Sequence, residues 1–157
     1  MPRIRTIKPE TDPLVAAEFR GLFFSEGHLD LVRQSALKNA LYPRARIALR
    51  LDDLEVLRWV QGRFGGNLEY RAGTSRGNPS CCWSLKGVGR IAGLLDVLEG
   101  GSIPSRKRTE VRLVREALLL VSVRGRHRQA GASERLLEIR AELKDARAFR
   151  PERTEAA

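Results

Sequence analysis

Glu26 is the side chain of this 157-residue sequence best placed to do chemistry. It closes the run Phe19-Arg20-Gly21-Leu22-Phe23-Phe24-Ser25-Glu26-Gly27, which follows Asp12-Pro13-Leu14-Val15-Ala16-Ala17-Glu18. Asp12 can accept backbone N–H bonds as an N-cap and Pro13 suits a first helical turn, so a helix should start there. Gly27 is expected to end it in a left-handed turn. A carboxylate at a helix C-terminus faces the negative end of the dipole, and a divalent cation would offset that cost. Ala17, Gly21 and Ser25 recur every fourth residue, and such a small-residue stripe lets a second helix backbone approach closely. Two copies side by side would bring two Glu26 carboxylates together, and two hard metal ions would relieve their repulsion and activate water. The plainer reading is a core helix ending in a solvated Glu.

Charge narrows the partner. Lys and Arg number 29 against 19 Asp and Glu, a net charge of +10, and only Lys8, Lys38, Lys86, Lys107 and Lys144 are lysines. Arginine binds phosphates and guanine edges bidentately, which puts nucleic acid ahead of an anionic membrane or an acidic protein. Cys81 and Cys82 are adjacent in a strand-like run. That is neither metal-site spacing nor a plausible disulfide, and it suits a reducing compartment. No apolar run reaches membrane-spanning length and no signal-peptide core follows Met1. The expectation is a cytoplasmic protein that uses no membrane and no small-molecule cofactor.

The elements that must position Glu26 follow in order. Residues 1–11, with Arg3, Arg5 and Lys8, read as a basic arm. His28 to Gln34 partly alternates, with Leu29 and Leu31 on one face, as a strand would. After a link through Lys38, Asn39 and Pro43, the segment 44–51 alternates cleanly: Ala45, Ile47, Leu49 and Leu51 on one side, Arg44, Arg46 and Arg50 on the other. Three arginines on one strand face repel unless anions meet them, which suggests a sheet laid on phosphates and base edges. Asp52 and Glu55 resemble a capping box opening a helix with Val56, Leu57, Val60 and Phe64 at core spacing, stopped at Gly65-Gly66. A hairpin follows, with Leu68, Tyr70, Trp83 and Leu85 inward and Asn67, Glu69, Arg71, Cys82, Ser84 and Lys86 outward, Arg76 crowning its loop. Further helices carry Ile91, Leu94, Leu95 and Leu98, then Val114, Ala117, Leu118 and Leu120. The basic loop 124–129 leads to a helix capped by Ser133, with Leu136, Ile139, Leu143 and Ala146 on one stripe.

The run ending in Gly27 resembles the motif of the LAGLIDADG homing endonucleases, in which a helix with small residues four apart ends in an acid followed by Gly. Gly21, Ser25, Glu26 and Gly27 match, with Glu in place of Asp. Phe24 and Arg20 depart from the pattern. The order helix, two strands, helix, two strands, helix is that family's αββαββα core, and the resemblance spans about Asp12 to Leu120. By contrast, Ile91 to Gly100 looks like the motif but has its small and acidic residues one step out of register, and reads as a packing helix.

The resemblance implies an α+β fold with a four-stranded antiparallel DNA-binding sheet and extra C-terminal helices. The endonuclease core would be residues 12–123, with 124–157 as basic loop, helix and tail. It implies a homodimer packed through Ala17, Gly21 and Ser25, cutting double-stranded DNA at a pseudo-palindromic site with Mg²⁺ or another divalent cation, as in intron or intein mobility. Glu26 and Gly27 would contact metal, and Arg106 or Lys107 would stabilise charge at the scissile phosphate. Arg44, Arg46, Arg50, Arg71, Arg76, Lys86, His28, Ser84 and Glu69 would contact DNA. Two other readings compete. One is a non-cleaving regulator or RNA splicing cofactor of the same fold, which would lack the motif acid; the other is a basic RNA-binding protein, which would expose aromatics on the sheet.

Overall fold

A computed structural model describes residues 12–35, 38–121 and 131–148. Helix α1 (Pro13–Glu26) runs into strand β1 (Gly27–Ser35), which pairs with β2 (Lys38–Arg50). A 3₁₀ turn (Leu51–Asp53) leads into α2 (Leu54–Phe64), followed by the hairpin of β3 (Asn67–Arg71) and β4 (Ser80–Lys86). Helices α3 (Val88–Glu99), α4 (Ser105–Val121) and α5 (Ala132–Ala148) complete the chain. The four strands form one antiparallel sheet in the order β1-β2-β4-β3. The αββαββα order expected from the sequence is therefore present. The arm 1–11, the basic loop 124–129 and the tail beyond Ala148 lie outside the described residues.

Alternation along the strands sorts the sheet's two faces. Leu29, Leu31, Leu41, Ala45, Ile47, Cys81, Trp83 and Leu85 are buried under the helices. Phe19 ties the layers together: its ring lies 4.2 Å from that of Phe64, 5.7 Å from Phe23 and 6.2 Å, edge-on, from Trp83. The Trp83 indole N–H donates to the Gly65 carbonyl at 2.7 Å, so the one polar atom of the central aromatic is satisfied. Leu136, Ile139 and Leu143 of α5 join the same core.

Several local expectations change. β2 begins at Lys38, not after Pro43, and Pro43 pairs with Leu31 inside it. The proline is tolerated because β4 pairs with β2 only from Arg44 onward, leaving that side without a ladder to donate to. The Asp52–Glu55 capping box does not form. Asp52 sits in the 3₁₀ turn and pairs with Arg50 at 3.7 Å, while Glu55 pairs with Arg58 at 2.8 Å. Tyr70 is 59% exposed, one residue from the end of edge strand β3. α5 starts at Ala132, a residue ahead of the expected cap Ser133.

The end of α1 also differs in kind. Gly27 has φ −88° and ψ 158°, ordinary extended backbone, so conformational freedom is not why glycine stands there. A Cβ at Gly27 would lie 2.4 Å from the Phe23 ring, which is buried against Phe19 and cannot swing aside. A Cβ at Gly21 would meet nothing within 4 Å. Gly27→Ala should therefore cost about 1–3 kcal/mol through overpacking. Gly21→Ala should stabilise the monomer by about 0.5–1 kcal/mol through helix propensity. Denaturant titrations followed by tryptophan fluorescence check both, and equal effects would refute the steric account.

Candidate active site and nucleic-acid face

α1 presents its small-residue stripe to solvent. Ala17, Gly21 and Ser25 are all exposed, beside Leu14 at 75% exposure. The Ser25 hydroxyl donates to its own helix, to the carbonyls of Gly21 at 3.1 Å and Leu22 at 3.0 Å, which keeps the stripe flat. Arg20, bulky on paper, turns away: its Nη1 donates to the Val97 carbonyl at 3.2 Å, near the C-terminal end of α3 where a cation is favourable.

Glu26 is exposed and opens onto a cleft of about 530 Å³ shared with Ala48, Leu49, Arg50, Asp53, Asn78, Pro79 and Ser80. It forms no ion pair among the described residues. The cleft's oxygen-bearing side chains, Glu26, Asp53, Asn78 and Ser80, are of the kind a hard divalent cation takes, and Arg50 stands among them. No group of three or more His, Cys, Asp and Glu is assembled among the described residues. Asp53 and Asn78 were not legible as neighbours of Glu26, because they come from the 3₁₀ turn and the β3–β4 connection.

Gly27 and Lys107 lie together at the start of β1. Lys107 is 5% exposed; its ammonium donates to the Gly27 carbonyl at 2.5 Å and to both Glu110 carboxylate oxygens at 3.3 Å. The Gly27 carbonyl thus has the Lys107 ammonium as one partner. Lys107 faces the core rather than the open sheet. Burial pushes its pKa down and Glu110 pushes it back up. Arg106, one residue earlier, is exposed.

The open face of the sheet carries the expected basic residues in cross-strand register. Arg44 stands opposite Lys86, Arg46 opposite Ser84 and Arg50 opposite Ser80, while Glu69 and Arg71 line β3. His28 stands opposite Arg46. Two corrections follow from packing. The face is not purely cationic: Arg44 donates bidentately to buried Asp30, from Nε at 3.0 Å and Nη2 at 2.6 Å. Cys82 and Ser84 are on this face but buried, and Arg46 Nε reaches the Cys82 sulfur at 2.9 Å. Arg50, Arg71, Arg76 and Lys86 remain exposed. His28 has its pKa pushed down to about 4, chiefly by burial, and is neutral at physiological pH. Tyr42 shares the face, with the Lys86 ammonium 5.8 Å from its ring centre. The link assumed around Pro43 hid it.

The chain has the fold of the LAGLIDADG homing endonucleases. It is similar to the archaeal intron-encoded homing endonuclease I-Vdi141I, solved in complex with DNA, at 18% identity and TM-score 0.66, over 85% of this chain and 84% of that one. The homing endonuclease I-TnaI is similar at 17% identity and TM-score 0.65, over 85% and 93% of the two chains. I-GzeII, solved with its DNA target, is matched at 17% identity and TM-score 0.64 over 79% of this chain but only 43% of its own. No protein-family model and no curated protein matches the sequence. No helix among the described residues is long and apolar enough to cross a membrane.

Asp30 restrains Arg44, so its removal should expose a cation. Asp30→Asn should cost about 1–3 kcal/mol of stability through the lost charged partner. It should steepen the dependence of log affinity on log salt for a nonspecific duplex by about 1, as one more phosphate contact becomes available. Fluorescence anisotropy across a salt series checks this; an unchanged slope would mean Arg44 stays off the DNA.

Proposed function

We infer that this protein is a site-specific double-stranded DNA endonuclease of the homing type, acting as a homodimer. The carrying observation is the placement of Glu26: an exposed, uncompensated carboxylate where the small-residue stripe of α1 meets the basic sheet. A packing helix has no use for an acid there. The DNA complexes among structures of the same fold support duplex DNA as the partner.

In this reading two α1 helices pack through Ala17, Gly21 and Ser25 on a two-fold axis and bring two Glu26 side chains together. Each sheet lies along one half of a pseudo-palindromic site. Exposed Arg50, Arg71, Arg76 and Lys86 neutralise phosphates or reach guanine edges, while Arg44 and Arg46, held by Asp30 and Cys82, present their remaining N–H groups in fixed directions. Exposed Glu69 would tune base choice, with buried Ser84 and half-buried His28 standing opposite Arg46 on the neighbouring strands. Glu26 would hold Mg²⁺ or another divalent cation, in the cleft it shares with Asp53 and Asn78. Bound there, the ion would supply an activated water and stabilise the leaving oxygen. Arg106, exposed, or its neighbour Lys107 is assigned to the scissile phosphate. A reducing cytoplasm suits its two free thiols.

Two measurements test this. Purified protein incubated with a library of long duplexes and Mg²⁺ should produce double-strand breaks at one site. Glu26→Gln should abolish the breaks while leaving the duplex bound. Specific binding without cleavage by wild type would instead assign a regulator or splicing cofactor. In sedimentation experiments Gly21→Ala should shift the equilibrium toward monomer, opposite in sense to its gain in monomer stability; an unaffected dimer would place the interface elsewhere.

A further inference from the structure

The open face of the sheet holds its two half-buried arginines in different ways. Arg44 and Arg46 both stand on the inner strand β2, on the side away from the helices. Arg46 rests its Nε on the Cys82 sulfur at 2.9 Å and forms no ion pair among the described residues. Arg44 instead donates from Nε at 3.0 Å and Nη2 at 2.6 Å to the two carboxylate oxygens of Asp30, its direct cross-strand partner. The side chains of this pair are 23% and 10% exposed, so the guanidinium is held within the sheet surface rather than extended from it.

That grip selects what Arg44 can bind. A guanidinium has five N–H groups, and Asp30 takes the two that lie along one side. The end of the fork stays free, where one N–H from each Nη points the same way. Two parallel donors need two adjacent acceptors. Among major-groove edges guanine alone offers them, in O6 and N7. Adenine sets a donor beside its N7, thymine has a single acceptor and cytosine presents a donor. A phosphate also has adjacent oxygens, but the Arg44–Asp30 pair carries no net charge, and a phosphate on it would lie close to the carboxylate. Exposed Lys86, opposite Arg44 on β4, and Arg50, whose side chain is 67% exposed, are better placed for phosphates. Because Asp30 has already ordered the long Arg44 side chain, binding a base costs it little further rotamer freedom.

We propose that Arg44, buttressed by Asp30, is a guanine reader: it fixes the preference for a G·C pair, in one orientation, at one position of each half-site. The proposal rests on the duplex-DNA reading above and adds a base identity to one row of the sheet. Asp30 is a positioning residue, and the Arg44 Nη groups alone touch the base.

The test reads binding and cleavage separately. The full chain selects its preferred site from a randomised duplex library without divalent metal. Affinity is then measured by fluorescence anisotropy for that site and its single-base substitutions, and cleavage of the same duplexes with Mg²⁺ is followed in parallel. Wild type should prefer guanine by about 5–150-fold at one position of each half-site. Arg44→Lys keeps the charge but not the fork, and should reduce that preference to within about threefold while leaving the other positions unchanged. Asp30→Asn keeps an acceptor oxygen but frees the guanidinium, and should weaken the same preference while raising affinity for nonspecific duplex. Replacing that guanine by 7-deazaguanine, which lacks the N7 acceptor, should cost wild type about tenfold and Arg44→Lys little.

A guanine preference that either variant retains in full overturns the proposal, as does a site with no such preference. An Arg44→Lys protein that binds every sequence more weakly by the same factor makes Arg44 a phosphate contact and overturns it too. Where a single variant does not fold, the uncharged pair Asp30→Asn/Arg44→Gln carries the test. It should lose the guanine preference, and its retention overturns the proposal. Wild type that binds one site but cuts nothing sinks the nuclease reading and leaves this proposal standing. A cutting wild type whose base preferences no variant alters sinks the proposal alone, and a wild type without specific duplex binding sinks both.

Discussion

The ring of Phe23 lying flat over Gly27 is the contact on which the rest of this structure depends. No side chain fits between them, so α1 can turn directly into β1 without a connecting loop. That abrupt junction places Glu26 at the boundary between helix layer and sheet. It also brings the Gly27 carbonyl down to the level of α4, where Lys107 meets it. Phe23 in turn is held by Phe19, which packs on Phe64 and Trp83. One aromatic cluster therefore sets the relative height of α1, α2 and the central strand β4.

Electrostatics on the two sides of the sheet follow different rules. On the helix side the charges are few and fully matched, as burial demands. Lys107 is paired with Glu110, and no buried side-chain N or O atom among the described residues lacks a partner. Away from the sheet, Arg135 joins α5 to α4 through Glu116 and pairs within α5 with Glu138 and Glu142, and Arg115 joins α4 to α3 through Asp96 and Glu99. These ties take up five of the 19 acidic residues. The open sheet face consequently keeps a positive excess, tempered only where Asp30 holds Arg44 and where Glu69 stands on β3. An excess of this kind is unfavourable for folding and favourable for binding a polyanion.

Much of the architecture was legible in local pattern. Period-2 alternation located the polar and apolar faces of β1, the second half of β2, and β4. Small-residue spacing, Asp12 and Pro13 located α1, and Asp12 does accept the Leu14 N–H at 2.9 Å. Gly65-Gly66 ended α2 as expected, with both glycines at positive φ. Failures occurred where a strong local signal met a nonlocal circumstance. Pro43 looked like a strand breaker, yet it falls where β2 has lost its β4 partner. Asp52 and Glu55 looked like a cap, yet nearby arginines claimed both. Tyr70 had the right parity for burial, yet lies at the end of an edge strand.

The candidate site divides along the same line. The sequence by itself determined that an acid ends a small-faced helix and that arginines gather on one strand face, because both are consequences of fixed helical and strand periods. Only the tertiary structure decided which of those charges remain free. Arg44 is held by a carboxylate from the neighbouring strand, Arg46 by a sulfur two strands along in sequence order, and Lys107 by a glycine carbonyl 80 residues away. Asp53 and Asn78 join Glu26 only because the turn after β2 and the connection before β4 end at the same edge of the molecule. Periodicity says which way a side chain points from its own backbone, but its ionic partners and burial depend on what packs opposite, and that is set by chain segments far away in sequence.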